Sequence, residues 1–191
     1  SEALEQELDD AVGAADSVER TEWRLVEDAA VQKREMYLDS IRQAFPQDML
    51  AGERVALDCS NGALSAFALD MFEAFGADVT IVGNSPNGSN INDGVGSECP
   101  QSLAAVFELG AFDMGFAFDG DGDRMIAFDE SGSKLSGEAT LGLLAIRAKA
   151  QGALKGDVLV TTAQSNLGLD AALGKVGISV RRVDIGDKFV S

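Results

Sequence analysis

The centre of the chain reads Asp113-Met-Gly-Phe-Ala-Phe-Asp-Gly-Asp-Gly-Asp-Arg-Met-Ile-Ala-Phe-Asp129. Two short apolar runs flank a polar turn in this stretch, and short apolar runs bounded by turn residues are typical of buried strands. The pattern predicts one strand over 113–118 and a second over 125–129, with a further short strand at 134–135. The first strand delivers the polar turn at its carboxyl end, where open parallel sheets place their ligand sites.

The polar turn holds three aspartates that alternate with glycines, Asp119, Asp121 and Asp123. At about 4 Å, each pair of carboxylates repels by roughly 1 kcal/mol in water and by about 4 kcal/mol at an effective dielectric of about 20. The glycines allow the backbone to bend so that alternate side chains converge. Carboxylate oxygens without nearby sulfur or imidazole favour magnesium or calcium over zinc or copper. The turn is therefore a candidate site for a divalent cation, with a solvated acidic turn as the alternative.

The segments before this stretch alternate between strand and helix patterns. Short apolar runs predict strands over 54–58 and 79–82, and apolar residues at helical spacing predict a helix over 63–75 between them. This order is typical of parallel strands joined by a crossover helix. Another helix is predicted from Pro100 through Leu109. We therefore expect an α/β fold, a three-layer α/β/α sandwich with a mostly parallel mixed sheet, complete over residues 50–151.

The segments after the aspartates repeat the same order. A helix is predicted over 138–151, followed by a strand over 158–162, a helix over 166–176 and a strand over 178–183. Residues 152–191 therefore look like the beginning of a second, related domain. A single strand–helix–strand unit of about 40 residues is too small to fold without help. We expect the chain to be the central piece of a longer protein.

Residues 1–49 precede the first predicted strand and differ from it in composition. An acidic, alanine-rich stretch comes first, and Thr21 is a suitable N-cap for a long helix that ends at Phe45-Pro46. An apolar stripe at helical spacing predicts the buried face of this helix, and it comprises Tyr37, Ile41, Ala44 and Phe45. We interpret this segment as the end of a first domain.

The chain of 191 residues carries 15 basic and 32 acidic side chains, a net charge of −17 at pH 7. This charge argues against binding of nucleic acid or of an anionic membrane surface, and no apolar run approaches the ~20 residues of a membrane span. An acid excess with few lysines suits a protein kept soluble in high salt, a hypothesis that refolding against salt concentration would test. Cys59 and Cys99 lack the spacing of a metal site and are expected to be free thiols in a reducing cytoplasm.

The aspartate turn and its flanking strands resemble the metal-binding loop of the phosphohexomutases, the phosphoglucomutase/phosphomannomutase superfamily. The matching segment runs from Ala117 to Arg124. Further segments resemble the phosphoglucosamine mutase branch of that superfamily, and these are 90–94, 96–97, Pro100, 165–169 and 186–190. The resemblance covers residues 50–191.

This resemblance implies an enzyme with four domains around a deep cleft. A serine of the first domain carries a phosphoryl group and transfers it to a sugar phosphate. The resulting bisphosphate intermediate reorients and returns its other phosphoryl group to the serine. The resemblance implies Mg²⁺ as the cofactor, held by Asp119, Asp121 and Asp123, and a sugar phosphate as the partner. Phosphoryl transfer depends mainly on positioning and charge neutralisation, which a divalent cation among carboxylates supplies.

Further site residues follow from the same resemblance. Arg124 corresponds to an arginine that faces the cleft near the phosphoryl group, and it is the catalytic candidate of this chain. Its alternative role is to offset the charge of the aspartates. Gly186, Asp187 and Lys188 fall where the family places a sugar-contacting loop of the third domain, although Lys188 is also readily interpreted as a surface lysine.

The sequence departs from the family pattern in two ways. It has no histidine and lacks the family's serine loop, Thr-Ala-Ser-His-Asn-Pro or close to it. Residues 95–99 read Val-Gly-Ser-Glu-Cys, where the phosphoglucosamine branch commonly has Cys-Gly-Ser-Thr-His. We therefore expect the isolated chain to be inactive as a mutase. A homodimer formed through its truncated surfaces is an open alternative to a monomer.

A calcium-binding module is the main competing interpretation. With Asp119 as the first residue of an EF-hand loop, Asp121, Asp123 and Glu130 fall at its third, fifth and twelfth places. The sixth place, which requires glycine, is Arg124, and the flanking runs predict strands where an EF-hand needs helices. A dinucleotide-binding domain is disfavoured because no G-x-G-x-x-G follows the first predicted strand. A non-catalytic interaction fragment would leave the aspartates unexplained.

Overall fold

A computed structural model describes residues 2–13 and 27–186. The chain divides into two compact units, residues 1–37 and residues 38–191. Within the first unit, the acidic N-terminal stretch forms helix α1 (Glu2–Gly13). The N-cap predicted at Thr21 lies outside the described residues.

Helix α2 (Glu27–Ala44) ends directly before Phe45-Pro46, as the sequence predicts. Its buried face differs from the predicted stripe, because Leu38 is the buried residue while Tyr37 and Phe45 are 48% and 49% exposed. Ala44 is exposed as well, and Ile41 is half-buried. The helix therefore packs along Leu38 and Ile41, and Phe45 contacts Phe75 edge-on with ring centroids 6.3 Å apart.

A four-stranded mixed sheet forms the centre of the second unit. Its strands are β1 (Arg54–Asp58), β2 (Asp78–Val82), β3 (Met114–Phe118) and β4 (Met125–Phe128), in the spatial order β2-β1-β3-β4. Strand β1 is parallel to β2 and to β3, and only β4 runs antiparallel. This confirms the predicted mostly parallel mixed sheet. The short strand expected at 134–135 is reduced to one bridge between Lys134 and Phe128.

Helices cover both faces of this sheet. Helix α3 (Ala68–Glu73) follows a 3₁₀ turn, Ala63–Ala66, and helix α4 (Gln101–Phe107) precedes β3. The single helix predicted over 63–75 is wrong, because Phe67 has φ −150° and interrupts it. Along β1, Ala56 packs towards α4 whereas the alternate residues Val55 and Leu57 pack towards α3. A strand buried on both faces confirms the three-layer α/β/α sandwich.

A second sheet pairs β5 (Val158–Thr162) with β6 (Ser179–Val183) in parallel. Helix α6 (Gly168–Gly174) connects them, and helix α5 (Gly137–Ala150) packs against α6 through Ala145, Leu169 and Leu173. This is the predicted start of a second domain. The domain boundaries predicted after residues 49 and 151 stay predictions.

Helix α5 also carries exposed apolar side chains. Leu143 and Leu144 are 60% and 59% exposed, and Leu141 and Ile146 are exposed to a lesser degree. Self-association through such surfaces stays a prediction. Within residues 2–13 and 27–186, none of the helices combines the length and apolar character needed to cross a bilayer.

Both cysteines are free thiols, as predicted. Cys59 is fully buried next to Asp58, and its burial, together with that neighbouring charge, raises the pKa of the thiol to about 12. A thiol with so high a pKa is protonated and unreactive at neutral pH. Cys59 therefore serves packing rather than chemistry.

Candidate metal site

The three aspartates lie at the carboxyl end of β3, in the loop that joins β3 to β4. One carboxylate oxygen from each of Asp119, Asp121 and Asp123 lies within 4.8 Å of the other two. Asp119 is buried, with 2% of its surface exposed, whereas Asp121 and Asp123 are open to solvent. The structure thus brings together the three carboxylates that the sequence proposes as ligands. Their all-oxygen character fits a hard divalent cation.

The backbone of the loop curls so that alternate side chains meet. The Arg124 carbonyl accepts a hydrogen bond from the Asp119 amide, and the Asp119 carbonyl accepts one from the Gly122 amide, at 3.3 and 3.2 Å. Gly122 has φ +78°, and a Cβ at this residue would lie 2.9 Å from Cγ of Leu64. The alternating glycine is therefore required by both backbone conformation and space.

Strands flank the aspartate loop on both sides. β3 enters it, β4 leaves it, and the two strands pair antiparallel through Phe118 and Met125. An EF-hand needs a helix on each side of its loop. The calcium-module interpretation therefore finds no support in this geometry.

Like charge accumulates in the loop, and the ionisation of the carboxyls reflects it. The negative charge of Asp121 raises the pKa of Asp123, with smaller contributions from its burial and from Asp119. Burial acts to raise the pKa of Asp119, but hydrogen bonds from the backbone and side chain of Arg124 outweigh it and lower that pKa. A positive charge placed among these carboxyls would relieve the repulsion that raises the pKa of Asp123, so the loop favours a cation.

Arg124 is held within the acidic cluster. Its Nε donates to Oδ2 of Asp119 at 2.8 Å, and its backbone amide donates to Oδ1 of the same carboxylate at 3.1 Å. The guanidinium also lies 3.4 Å from a carboxylate oxygen of Asp123 and 3.4 Å from one of Glu98. Its side chain nevertheless remains 68% exposed. Arg124 offsets the aspartates in this geometry while keeping an open face for an anionic group.

Glu98 is a member of this cluster that sequence reasoning did not single out. It occupies a place in the segment 95–99 where the chain departs from the phosphoglucosamine branch. Its contact with Arg124 joins residues far apart in sequence, and only the folded chain brings them together. The departure from the family pattern was the one signal available for it.

The turn after β1 lies behind the aspartate loop and was also missed as part of the site. The Phe118 carbonyl, directly before Asp119, accepts hydrogen bonds from the Ser60 hydroxyl and from the Ser97 amide. The Gly120 carbonyl accepts one from the Ala63 amide at 2.8 Å. The loop is thus held through its backbone carbonyls, and these contacts involve none of the three aspartate side chains.

The predicted sugar-contacting residues follow β6. Gly186 is half-buried with φ +136°, a conformation that favours glycine. Asp187 and Lys188 lie outside the described residues. The roles of all three residues in substrate binding stay predictions.

The end of β6 is anchored just before Gly186. Arg182 forms a two-pronged ion pair with Asp170, at 2.6 and 2.7 Å, and donates to the Ser165 carbonyl at 3.2 Å. The hydrogen bonds from Arg182 hold the pKa of Asp170 below its ordinary value. Paired guanidinium and carboxylate groups of this geometry favour the ionised acid.

This ion pair predicts a pH-dependent contribution to stability. Because the folded-state pKa of Asp170 is lowered, the stabilisation is present above its unfolded value of about 3.9 and is lost as the pH falls through the folded value. Asp170→Asn should therefore lower the melting temperature at pH 7, and the difference from the parent chain should shrink below a pH of about 4. Thermal unfolding followed by circular dichroism across this range checks it. A difference that stays constant with pH would contradict the prediction.

Two family models match the chain. Residues 35–132 match the α/β/α domain II of phosphoglucomutase/phosphomannomutase, and residues 136–191 match its α/β/α domain III. Phosphoglucosamine mutase of Bacillus subtilis (strain 168) is 46% identical over 154 residues, which are 81% of this chain and 34% of that protein. Phosphoglucosamine mutase of Aeromonas salmonicida (strain A449) is 41% identical over 190 residues, which are 98% of this chain and 41% of that protein.

Solved structures show the same fold. A phosphoglucomutase/phosphomannomutase family protein from Burkholderia thailandensis superposes with a TM-score of 0.69 at 20% identity, over 82% of this chain and 34% of that one. An N-acetylglucosamine-phosphate mutase superposes with a TM-score of 0.57 at 17% identity, over 87% of this chain and 34% of that one. The chain thus spans about a third to two fifths of the length of these proteins. By its sequence matches to two successive family domains, this chain belongs to the phosphoglucomutase/phosphomannomutase family.

Proposed function

We propose that this chain is the metal-binding part of a phosphohexomutase that interconverts the 6-phosphate and 1-phosphate of a hexose or hexosamine. Hexosamine is the favoured substrate class, because the relatives at 46% and 41% identity are phosphoglucosamine mutases. The observation that carries the proposal is the convergence of Asp119, Asp121 and Asp123 at the carboxyl end of β3. The proposed enzyme works in the cytoplasm.

The proposed reaction moves one phosphoryl group in each direction. A phosphoserine gives its phosphoryl group to the free hydroxyl of the sugar phosphate: the serine O–P bond breaks as the new P–O bond forms, and the proton lost by the sugar hydroxyl is matched by the one that the serine oxygen gains. The bisphosphate then returns its other phosphoryl group to the serine, and the monophosphate product keeps the first one. No net oxidation or hydrolysis occurs.

Each residue of the cluster has a proposed part in this chemistry. Asp119, Asp121 and Asp123 would hold Mg²⁺, which supplies positive charge next to the transferring phosphoryl group. Arg124 would direct its exposed guanidinium edge towards the same phosphoryl oxygens while Asp119 keeps its Nε in place. A guanidinium suits this task because it binds phosphate through a planar pair of donors.

The chain on its own lacks one component of this reaction. The family's phosphoserine loop is absent from these 191 residues, so the phosphoryl donor has to come from another part of the enzyme. The 191-residue chain should therefore bind Mg²⁺ or Mn²⁺ weakly and show no mutase turnover.

Two measurements on the 191-residue chain test this proposal. Mn²⁺ binding is followed by electron paramagnetic resonance, with Mg²⁺ and Ca²⁺ as competitors. Mutase activity is then assayed with glucosamine, glucose and mannose phosphates. We expect Mg²⁺ to displace Mn²⁺, and no turnover. Absence of Mn²⁺ binding, or displacement by sub-micromolar Ca²⁺ but not by Mg²⁺, would contradict the metal assignment, and measurable turnover would contradict the predicted inactivity.

A further inference from the structure

A buried carboxylate, that of Asp58, lies at the carboxyl end of β1 and takes no direct part in the proposed metal site. The residue is 0% exposed. Its Oδ1 accepts from the Ser60 amide at 3.0 Å, and its Oδ2 accepts from the Gly96 amide at 2.7 Å and from the Ser102 hydroxyl at 2.5 Å. All three donors are neutral groups. A buried carboxylate held only by neutral donors is costly, so it calls for a structural or functional reason.

The two backbone amides that Asp58 binds belong to the segments that hold the aspartate loop. Ser60 donates its hydroxyl to the Phe118 carbonyl. Gly96 directly precedes Ser97, whose amide donates to the same carbonyl at 2.8 Å. Asp58 thus fixes both segments that meet at Phe118, the residue next to the first metal-ligand candidate.

These segments are closely fitted to one another. A Cβ at Gly96 would lie 1.9 Å from Oγ of Ser60 and 2.7 Å from the Phe118 carbonyl oxygen. Ser60 and the following Asn61 have φ +57° and +51°, a conformation that asparagine tolerates but that is costly for serine. In this conformation Ser60 donates its amide to the Asp58 carboxylate and its hydroxyl to the Phe118 carbonyl at the same time. Strain of this kind persists only where surrounding contacts enforce it.

We infer that Asp58 is a positioning residue for the aspartate loop. Its hydrogen bonds fix the positions of Ser60 and Gly96. The segments that contain these two residues hold the Phe118 carbonyl, and Asp119 is thereby directed towards Asp121 and Asp123. The inference rests on the proposed metal-binding function of that loop. Asp58 lies close to the aspartate loop because strands β1 and β3 pair in parallel, with Asp58 of β1 opposite Ala117 of β3.

The hydrogen bonds explain why a carboxylate serves here better than an amide. Each oxygen of Asp58 accepts from a backbone N–H, Oδ1 from Ser60 and Oδ2 from Gly96. An asparagine in either orientation would set its NH₂ group against one of these N–H donors. Asp58→Asn is therefore a change of nearly constant volume that breaks one of the two connections.

Asp129 provides a matched control. Its Oδ1 also accepts from two backbone amides, those of Ser131 at 2.9 Å and Ser133 at 3.0 Å. This turn follows Phe128, which pairs with Gly115 and so lies at the end of β3 remote from Phe118. Since one oxygen serves both amides, Asp129→Asn removes a carboxylate charge without setting its NH₂ group against an N–H donor, and it should leave the aspartate loop unaffected.

The experiment compares the 191-residue chain with its Asp58→Asn and Asp129→Asn variants. Mn²⁺ affinity is measured by electron paramagnetic resonance, and amide hydrogen exchange by nuclear magnetic resonance without metal. Asp58→Asn should weaken Mn²⁺ binding by about 10-fold or more, as loss of a group that orients metal ligands typically does. Exchange of the Gly122 and Arg124 amides, which hydrogen-bond to Asp119, should accelerate by a similar factor. Asp129→Asn should leave both measurements unchanged.

The two measurements separate the inference from the proposed function. If the parent chain binds no Mn²⁺, the assignment of the aspartate loop as a metal site is wrong. Hydrogen exchange alone then shows whether Asp58 positions the loop. Unchanged Mn²⁺ affinity in Asp58→Asn, unchanged exchange at Gly122 and Arg124, or exchange that accelerates equally in β5 and β6 would overturn the inference. Should Asp58→Asn fail to fold, Ser60→Ala, which removes only the hydroxyl bond to Phe118, replaces it and is judged by the same outcomes.

Discussion

Asp119→Asn should weaken Mg²⁺ and Mn²⁺ binding by about 100-fold, which corresponds to about 2.7 kcal/mol of binding free energy. Asp119 is the buried member of the cluster, at 2% exposure, so solvent cannot readily replace its oxygen as a ligand. Its two oxygens also accept from the amide and the guanidinium of Arg124. An asparagine offers a single oxygen, which cannot both accept the hydrogen bonds from Arg124 and bind a metal ion as the two carboxylate oxygens can. Titration of the 191-residue chain with Mn²⁺, followed by competition with Mg²⁺, measures the effect.

Asp123→Asn provides an independent signature of the same site. Asp121 repels the carboxylate of Asp123, as the raised pKa of Asp123 reflects. Removing this charge should weaken metal binding and at the same time raise the melting temperature of the metal-free chain. A surface cluster that binds no metal would not show weaker metal binding together with a higher melting temperature. Equal Mn²⁺ affinity in the parent chain, Asp119→Asn and Asp123→Asn would contradict the metal assignment.

Gly62→Ala should destabilise the fold by about 1–3 kcal/mol, the range typical of overpacking at a close contact. A Cβ at Gly62 would lie 2.2 Å from the Gly120 carbonyl oxygen and 2.8 Å from the carbonyl carbon and Cα of that residue. These are backbone atoms, so no side-chain rotation can relieve the clash. The turn must move away from the aspartate loop, and the hydrogen bond from the Ala63 amide to Gly120 is lost. Urea unfolding measures the loss of stability, and the Mn²⁺ titration should show weaker binding as well.

Gly137→Ala is the matched control for this prediction. Gly137 is the first residue of α5, and a Cβ there would meet nothing within 4 Å. Alanine in a helix is favoured over glycine by up to about 1 kcal/mol, so this variant should be neutral or slightly more stable. If Gly62→Ala unfolds at the same urea concentration as the parent chain, the turn is not packed against the loop as described.

Local sequence patterns predicted most of the regular structure. The apolar runs that became β1 and β3 are short and bounded by turn residues, and the pairing of β1 with both β2 and β3 agrees with the predicted parallel sheet. Local patterns were less successful where tertiary contacts determine the end of a helix or its buried face. Helical spacing alone did not reveal the break at Phe67, and it selected Tyr37 rather than Leu38 for the buried face of α2.

The amino-acid sequence by itself determined the candidate ligand set and its place, because three carboxylates alternating with glycine after an apolar strand are a local arrangement. Only the tertiary structure decided what surrounds them. Asp58 and Gly96 are joined across 38 residues, and Ser60 and Phe118 across 58. Contacts of this kind depend on the register between parallel strands, which no short stretch of sequence encodes. The same physical reason explains why Glu98 joins the cluster only when the loop before α4 folds against Arg124.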